Sequence, residues 1–82
     1  GRRPVFVAYA RSVLLACCAA LKDEEAFEAH YDALLPFVEK TGLADPDVAR
    51  LAAIAEDQAP NVRIAKRARL LRVLQEERLA TR

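Results

Sequence analysis

The stretch VFVAYARSVLLACCAAL, residues 5–21, has only Arg11 and Ser12 as strongly polar side chains and contains neither glycine nor proline. Alanine and leucine, both ready helix formers, dominate its second half. It predicts a helix beginning at Pro4 or Val5, since proline is tolerated in a first turn, and running to Leu21. A helix that is apolar on nearly every side has to be surrounded. Three further helices from an 82-residue chain cover only part of it. One side is therefore expected to meet a second surface: its own copy, a neighbouring part of a longer parent, or a different protein. Val7, Leu14, Leu15 and Cys18 are the candidate partner contacts.

The same stretch follows Gly1-Arg2-Arg3, which has the outline of a signal peptide or a span. Arg11 argues against a span, because a charge at that depth costs roughly 2.5–3.5 kcal/mol. Residues 5–21 also fall short of the ~20 residues that cross a bilayer, and no clear small-residue cleavage site follows. The expectation is a buried helix of a soluble intracellular, cytoplasmic domain, with no membrane span.

Outward from this helix, Lys22-Asp23-Glu24-Glu25 reads as a tight turn with Asp23 as N-cap and acids at the positive end of the next dipole. Phe27, Tyr31, Leu34 and Val38 follow at spacings of 4, 3 and 4, forming one apolar stripe. Pro36 falls inside that pattern and is expected to kink or split the helix near Leu35. Thr41-Gly42 supplies the stop, with Gly42 as a left-handed cap. Asp45-Pro46-Asp47 is a strong helix start. Val48, Leu51, Ala52, Ala55 and Ile54 form the inner face of a third helix, which ends near Ala59-Pro60 because the residue before proline leaves helical geometry. Ala59 or Asn61 caps a fourth helix running to about Leu79, with Ile64, Ala68, Leu70, Leu71, Leu74 and Leu79 as its apolar set. The expected fold is all-α: one domain over residues 1–82, with helices at about 4–21, 23–41, 46–59 and 61–79. Short joins make neighbours antiparallel, as a small bundle or two stacked hairpins.

Composition agrees with this. The chain is 54% hydrophobic but only 6% aromatic, and two glycines with four prolines supply too little turn chemistry for a many-stranded sheet. The net charge of +1 hides an uneven distribution: +3 over residues 1–21, −7 over 22–60 and +5 over 61–82. An acidic middle and a basic end suit charge complementarity within the chain or between chains.

Catalytic chemistry has few candidates. His30 is the sole histidine, which excludes His pairs and multi-His metal sites within one chain. Cys17 and Cys18 are adjacent, so a bond between them would close a strained ring and the Cys-x-x-Cys spacing is absent. They read as reduced, packed thiols. A Cys–His30 nucleophile–base pair is conceivable across a hairpin, but an Ala/Leu-rich helix offers nothing to stabilise a thiolate. The acids of residues 23–32 lack the glycine and alternating oxygens of a calcium loop. No glycine-rich phosphate loop exists. No cofactor is expected, and the chain is read as a non-enzyme. The competing reading is nucleic-acid binding through the last helix, where Arg63, Lys66, Arg67, Arg69 and Arg72 would contact phosphates or an acidic partner. It lacks a base-reading Asn/Gln/Ser set, and the domain is nearly neutral.

Ala19-Ala20-Leu21-Lys22-Asp23-Glu24-Glu25-Ala26-Phe27, continuing through Tyr31-Asp32-Ala33-Leu34-Leu35, resembles the hairpin of a tetratricopeptide-like repeat. In that family small residues, here Ala26 and Ala33, let two helices approach closely. Leu34-Leu35-Pro36-Phe37 with Asp45-Pro46-Asp47-Val48-Ala49-Arg50-Leu51-Ala52-Ala53 is similar to a HEAT-type repeat. The resemblance implies a protein-binding α-solenoid segment or a small bundle. The functional expectation is a protein–protein interaction or oligomerisation module, with a dimer favoured.

Overall fold

In the computed structural model, residues 2–81 are described, and they form four helices: α1 (Arg2–Ala20), α2 (Glu24–Thr41), α3 (Pro46–Gln58) and α4 (Val62–Ala80). There is no strand among the described residues, and the protein is all-α. α1 pairs with α2, and α3 with α4. The two hairpins join through α1 against α3, while α2 only brushes α4. This is the arrangement of two stacked hairpins, in which the α2–α3 join carries the chain across the end of the molecule and lays α3 on α1.

Local chemistry explains the boundaries. α1 starts two residues before Pro4, which its first turn accommodates because the first N–H groups of a helix have no partner within it. At its other end, Asp23 N donates to Cys18 O and Lys22 N to Ala19 O, with Lys22 at φ 62°. This is the left-handed helix stop usually given to glycine. Here the Lys22 ammonium donates to the Gln58 carbonyl at 2.6 Å, tying the turn to the negative end of α3. Asp23, Asp45 and Asn61 cap α2, α3 and α4 by accepting from Ala26 N, from Asp47 N and Val48 N, and from Ile64 N respectively. Gly42 closes α2 at φ 68°.

Pro36 does not split α2, which runs unbroken from Glu24 to Thr41. The carbonyl deprived of its usual donor is that of Asp32, four residues earlier, and both Asp32 and Pro36 are exposed. The lost bond thus falls on the solvent side of α2, where the carbonyl is open to hydration, and the buried face of Phe27, Tyr31, Leu34 and Val38 is continuous.

The core gathers Ala8, Leu15, Cys18 and Ala19 of α1 with Phe27, Tyr31, Leu34 and Val38 of α2. Val48, Ala52 and Ala55 of α3 and Ile64, Ala68 and Leu71 of α4 complete it. Ile54 and Leu70, expected inside, are exposed. A residue absent from the expected core is Gln75, which is fully buried. Its amide nitrogen donates to Leu43 O at 2.9 Å, and its amide oxygen accepts from Asp45 N at 2.8 Å. Arg78 donates to both Val38 O and Leu43 O. Two side chains of α4 thus pin the loop between α2 and α3.

Candidate functional site

The inner face of α1 is set by Ala8, Ser12, Leu15, Ala16 and Ala19, all buried. Ser12 satisfies its hydroxyl by donating to Ala8 O at 2.7 Å. At 100° per residue, the opposite side of the helix carries Phe6, Ala10, Val13, Leu14, Cys17 and, just past the last turn, Leu21. All but the half-buried Val13 are exposed, Phe6 to 73% and Leu21 to 78%. Val7 flanks this row on one side and Tyr9 on the other, both exposed as well. No charge interrupts the row. Arg3 stands at one end of it, and the exposed acids Asp23, Glu24 and Glu25 lie beyond the other.

Beside the row, Arg3, Pro4, Val7 and Phe37 line an open groove of about 330 Å³ with almost wholly apolar walls. By length and composition, Arg3–Ala20 is also apolar enough to cross a membrane. A core helix of a soluble protein meets the same description, so this property alone assigns no environment.

The expected contacts divide. Val7 and Leu14 face outward, at 42% and 43% exposure, but Leu15 and Cys18 point into the core at 1% and 9%. The correction follows from helical geometry: Leu15 is 100° round from Leu14, which turns it towards α2 and α3. Phe6, Ala10, Cys17 and Leu21 complete the outward row. Their 3–4 spacing was the signal for them, but it was hidden by an equally apolar inner row.

The basic residues of α4 are largely committed within the chain. Arg67 sits 2.9 Å from the Glu28 carboxylate and 5.6 Å over the Tyr31 ring, and Arg63 reaches the same carboxylate at 3.5 Å. Arg72 bridges Glu56 at 2.7 Å and Glu76 at 2.9 Å, and these hydrogen bonds raise its pKa above the usual value. Only Lys66 and Arg69 of the five are exposed without an ion pair among the described residues. Three of the five expected phosphate contacts therefore balance the acidic middle of their own chain.

Among the described residues neither thiol hydrogen-bonds to His30. Arg11 lies 3.2 Å from His30 Nδ1, the geometry of a guanidinium donating to an unprotonated ring nitrogen. Burial pushes the Cys18 thiol up, reinforced by the charges of Asp23 and Cys17. That disfavours the reactive thiolate. Ala33, which the repeat resemblance puts at a close helix approach, is exposed, whereas Ala26 packs on the core. No cluster of metal-ligating side chains occurs among the described residues. Compared with protein-family models, curated proteins and solved structures, the chain matches none.

Proposed function

We propose that this chain is a non-catalytic protein–protein interaction or oligomerisation module whose docking surface is the outer face of α1. The observation that carries the reading is the charge-free row of Phe6, Ala10, Val13, Leu14, Cys17 and Leu21 on a helix already packed along its other side. The helix needs only its inner row to hold α2 and α3. The isolated fold leaves most of the opposite row exposed, and contiguous exposed apolar surface is often an interaction site. The commitment of Arg63, Arg67 and Arg72 to internal acids weighs against nucleic acid as the ligand. The burial of Cys18 and the pairing of Arg11 with His30 weigh against thiol catalysis.

The test combines sedimentation velocity with binding of the apolar dye anilinonaphthalene sulfonate. The expected result is either a concentration-dependent mass or dye bound by a folded monomer, with both effects weakened by Leu14→Lys. A strict monomer that ignores the dye would remove the reading.

A further inference from the structure

We infer that the surface on α1 is filled by the same surface of a second copy, the two helices running antiparallel. This rests on the docking reading above and names its partner. The row is nearly symmetric about its own centre, between Val13 and Leu14. Read against itself in reverse, it sets Phe6 against Leu21, Ala10 against Cys17 and Val13 against Leu14. Phe6 and Leu21 then meet at the ends, the smaller Ala10 and Cys17 lie inside them, and Val13 and Leu14 fill the centre, with the helix axes about 8–10 Å apart. The matched rows extend about 22 Å at the helical rise.

Charge points the same way. The antiparallel arrangement brings Arg3 of each copy towards the acidic turn Asp23–Glu25 of the other and opposes the two helix dipoles. A parallel arrangement would put Arg3 on Arg3 and acids on acids. With a net charge of +1, self-association meets little long-range repulsion.

The exposed parts of Phe6, Val7, Leu14 and Leu21 offer on the order of 400 Å² of apolar surface per chain, so two copies bury about 800 Å² from these residues, the size of a weak, reversible dimer contact. The opposite end of the molecule is different. The outer face of α4 carries exposed Arg63, Lys66, Arg69, Glu76 and Glu77, with Val62 and Leu70 isolated among them. One sticky face per chain, paired with itself across a two-fold axis, closes at two copies and leaves charge outermost.

The orientation makes a cross-linking test decisive. Cys17 faces Ala10 of the other copy, so the two Cys17 thiols of a dimer lie too far apart to join. Ala10→Cys brings the introduced thiol opposite Cys17, whereas within one chain those positions are two helical turns apart. The expected results are a dimeric mass for the whole chain, disulfide-linked dimer from Ala10→Cys under mild oxidation, and little from the parent chain. Leu14→Lys is expected to weaken association at least about 100-fold, since each dimer carries the change twice. Its helical circular dichroism should be unchanged, because Leu14 is outside the core, and Phe6→Lys provides a second variant.

Efficient Cys17–Cys17 linkage in the parent chain would overturn the antiparallel arrangement. A monomer at millimolar concentration would overturn the second copy altogether. If that monomer still binds the dye in a Leu14-dependent way, the face docks a different protein. If it partitions into phosphatidylcholine vesicles, the face meets lipid. If it does neither, the docking reading falls too.

Discussion

Replacing Gln75 by leucine tests whether a polar side chain organises this core. The substitution keeps side-chain volume and helix propensity close to those of glutamine. It removes the acceptor for Asp45 N and the donor to Leu43 O in a site with no measurable exposure. The two losses differ. Leu43 O keeps a bond from Arg78 at 2.9 Å, so its share is the net worth of one hydrogen bond, about 1 kcal/mol. Asp45 N bonds to Gln75 Oε1, and a donor orphaned by its loss costs roughly 1–3 kcal/mol. Against these stands about 1 kcal/mol gained by burying the more apolar leucine. The net is a loss of about 2 kcal/mol, which for a domain of this size lowers Tm by about 8–16 °C. Thermal and urea unfolding followed by circular dichroism at one fixed protein concentration measures it, because association would otherwise shift Tm by mass action. The urea midpoint should fall with an unchanged slope. A Tm within a few degrees of the parent, or above it, would show that the loop is held by Arg78 and the caps alone, and that the Gln75 bonds are dispensable.

Two further substitutions probe the same scaffold. Tyr31 is buried and its hydroxyl has no hydrogen-bond partner, so Tyr31→Phe should leave stability unchanged or raise it by up to about 1 kcal/mol in urea unfolding. Burial, opposed by Arg67 and helped by Glu39, Asp32 and Glu28, lifts the Tyr31 pKa above its ordinary 10.0. The neutral form therefore belongs to the folded state. Its contribution is complete below pH 10 and is lost as pH rises towards the folded value, so Tyr31→Phe should flatten part of the alkaline decline. Gly42→Ala should cost about 1 kcal/mol in the same assay. A Cβ there meets nothing within 4 Å, so the penalty is purely that of an L-residue at φ 68°.

How much of this was legible in sequence depended on whether a residue's role is decided by near or distant neighbours. Asp23, Gly42 and Asp45-Pro46 announced their caps, and the choice for α4 narrowed to Ala59 or Asn61, of which the structure uses Asn61, because capping is a local matter between residues two to four apart. The 4-3-4 spacing of Phe27, Tyr31, Leu34 and Val38 picked the inner face of α2 because its other face is polar. On α1 that contrast is missing. Leu14 and Leu15 look alike in sequence, and only the positions of α2 and α3 decide which one is buried. Gln75 was illegible for another reason: a glutamine on a charged helix reads as solvated until the carbonyl and N–H of a loop 30 and more residues away are brought against it. Arg67 and Arg72 read as a basic face for the same reason, since Glu28 and Glu56 join them only through the packing of α4.

The Leu14–Leu15 pair converts the two faces of α1 into separable quantities. Leu15 is 1% exposed within the core cluster, so Leu15→Ala should lower folding stability by about 2–5 kcal/mol, the cost of lost burial plus a cavity. Its outward neighbours remain, so whatever fraction stays folded should associate as before. Leu14 is 43% exposed, and shortening it removes apolar area only from the outer row. Leu14→Ala should leave the unfolding midpoint of dilute chain nearly unchanged, since alanine is also the better helix former. Its loss should appear in the dimer dissociation constant, by about 10-fold or more with the change present in both copies. Unfolding of dilute chain and sedimentation of concentrated chain read the two effects separately. Had both rows served a single core, each substitution would lower stability and association in parallel. That parallel loss would mean that the fold of one chain is incomplete without the other, and that the outer row of α1 is an interior surface rather than a docking surface.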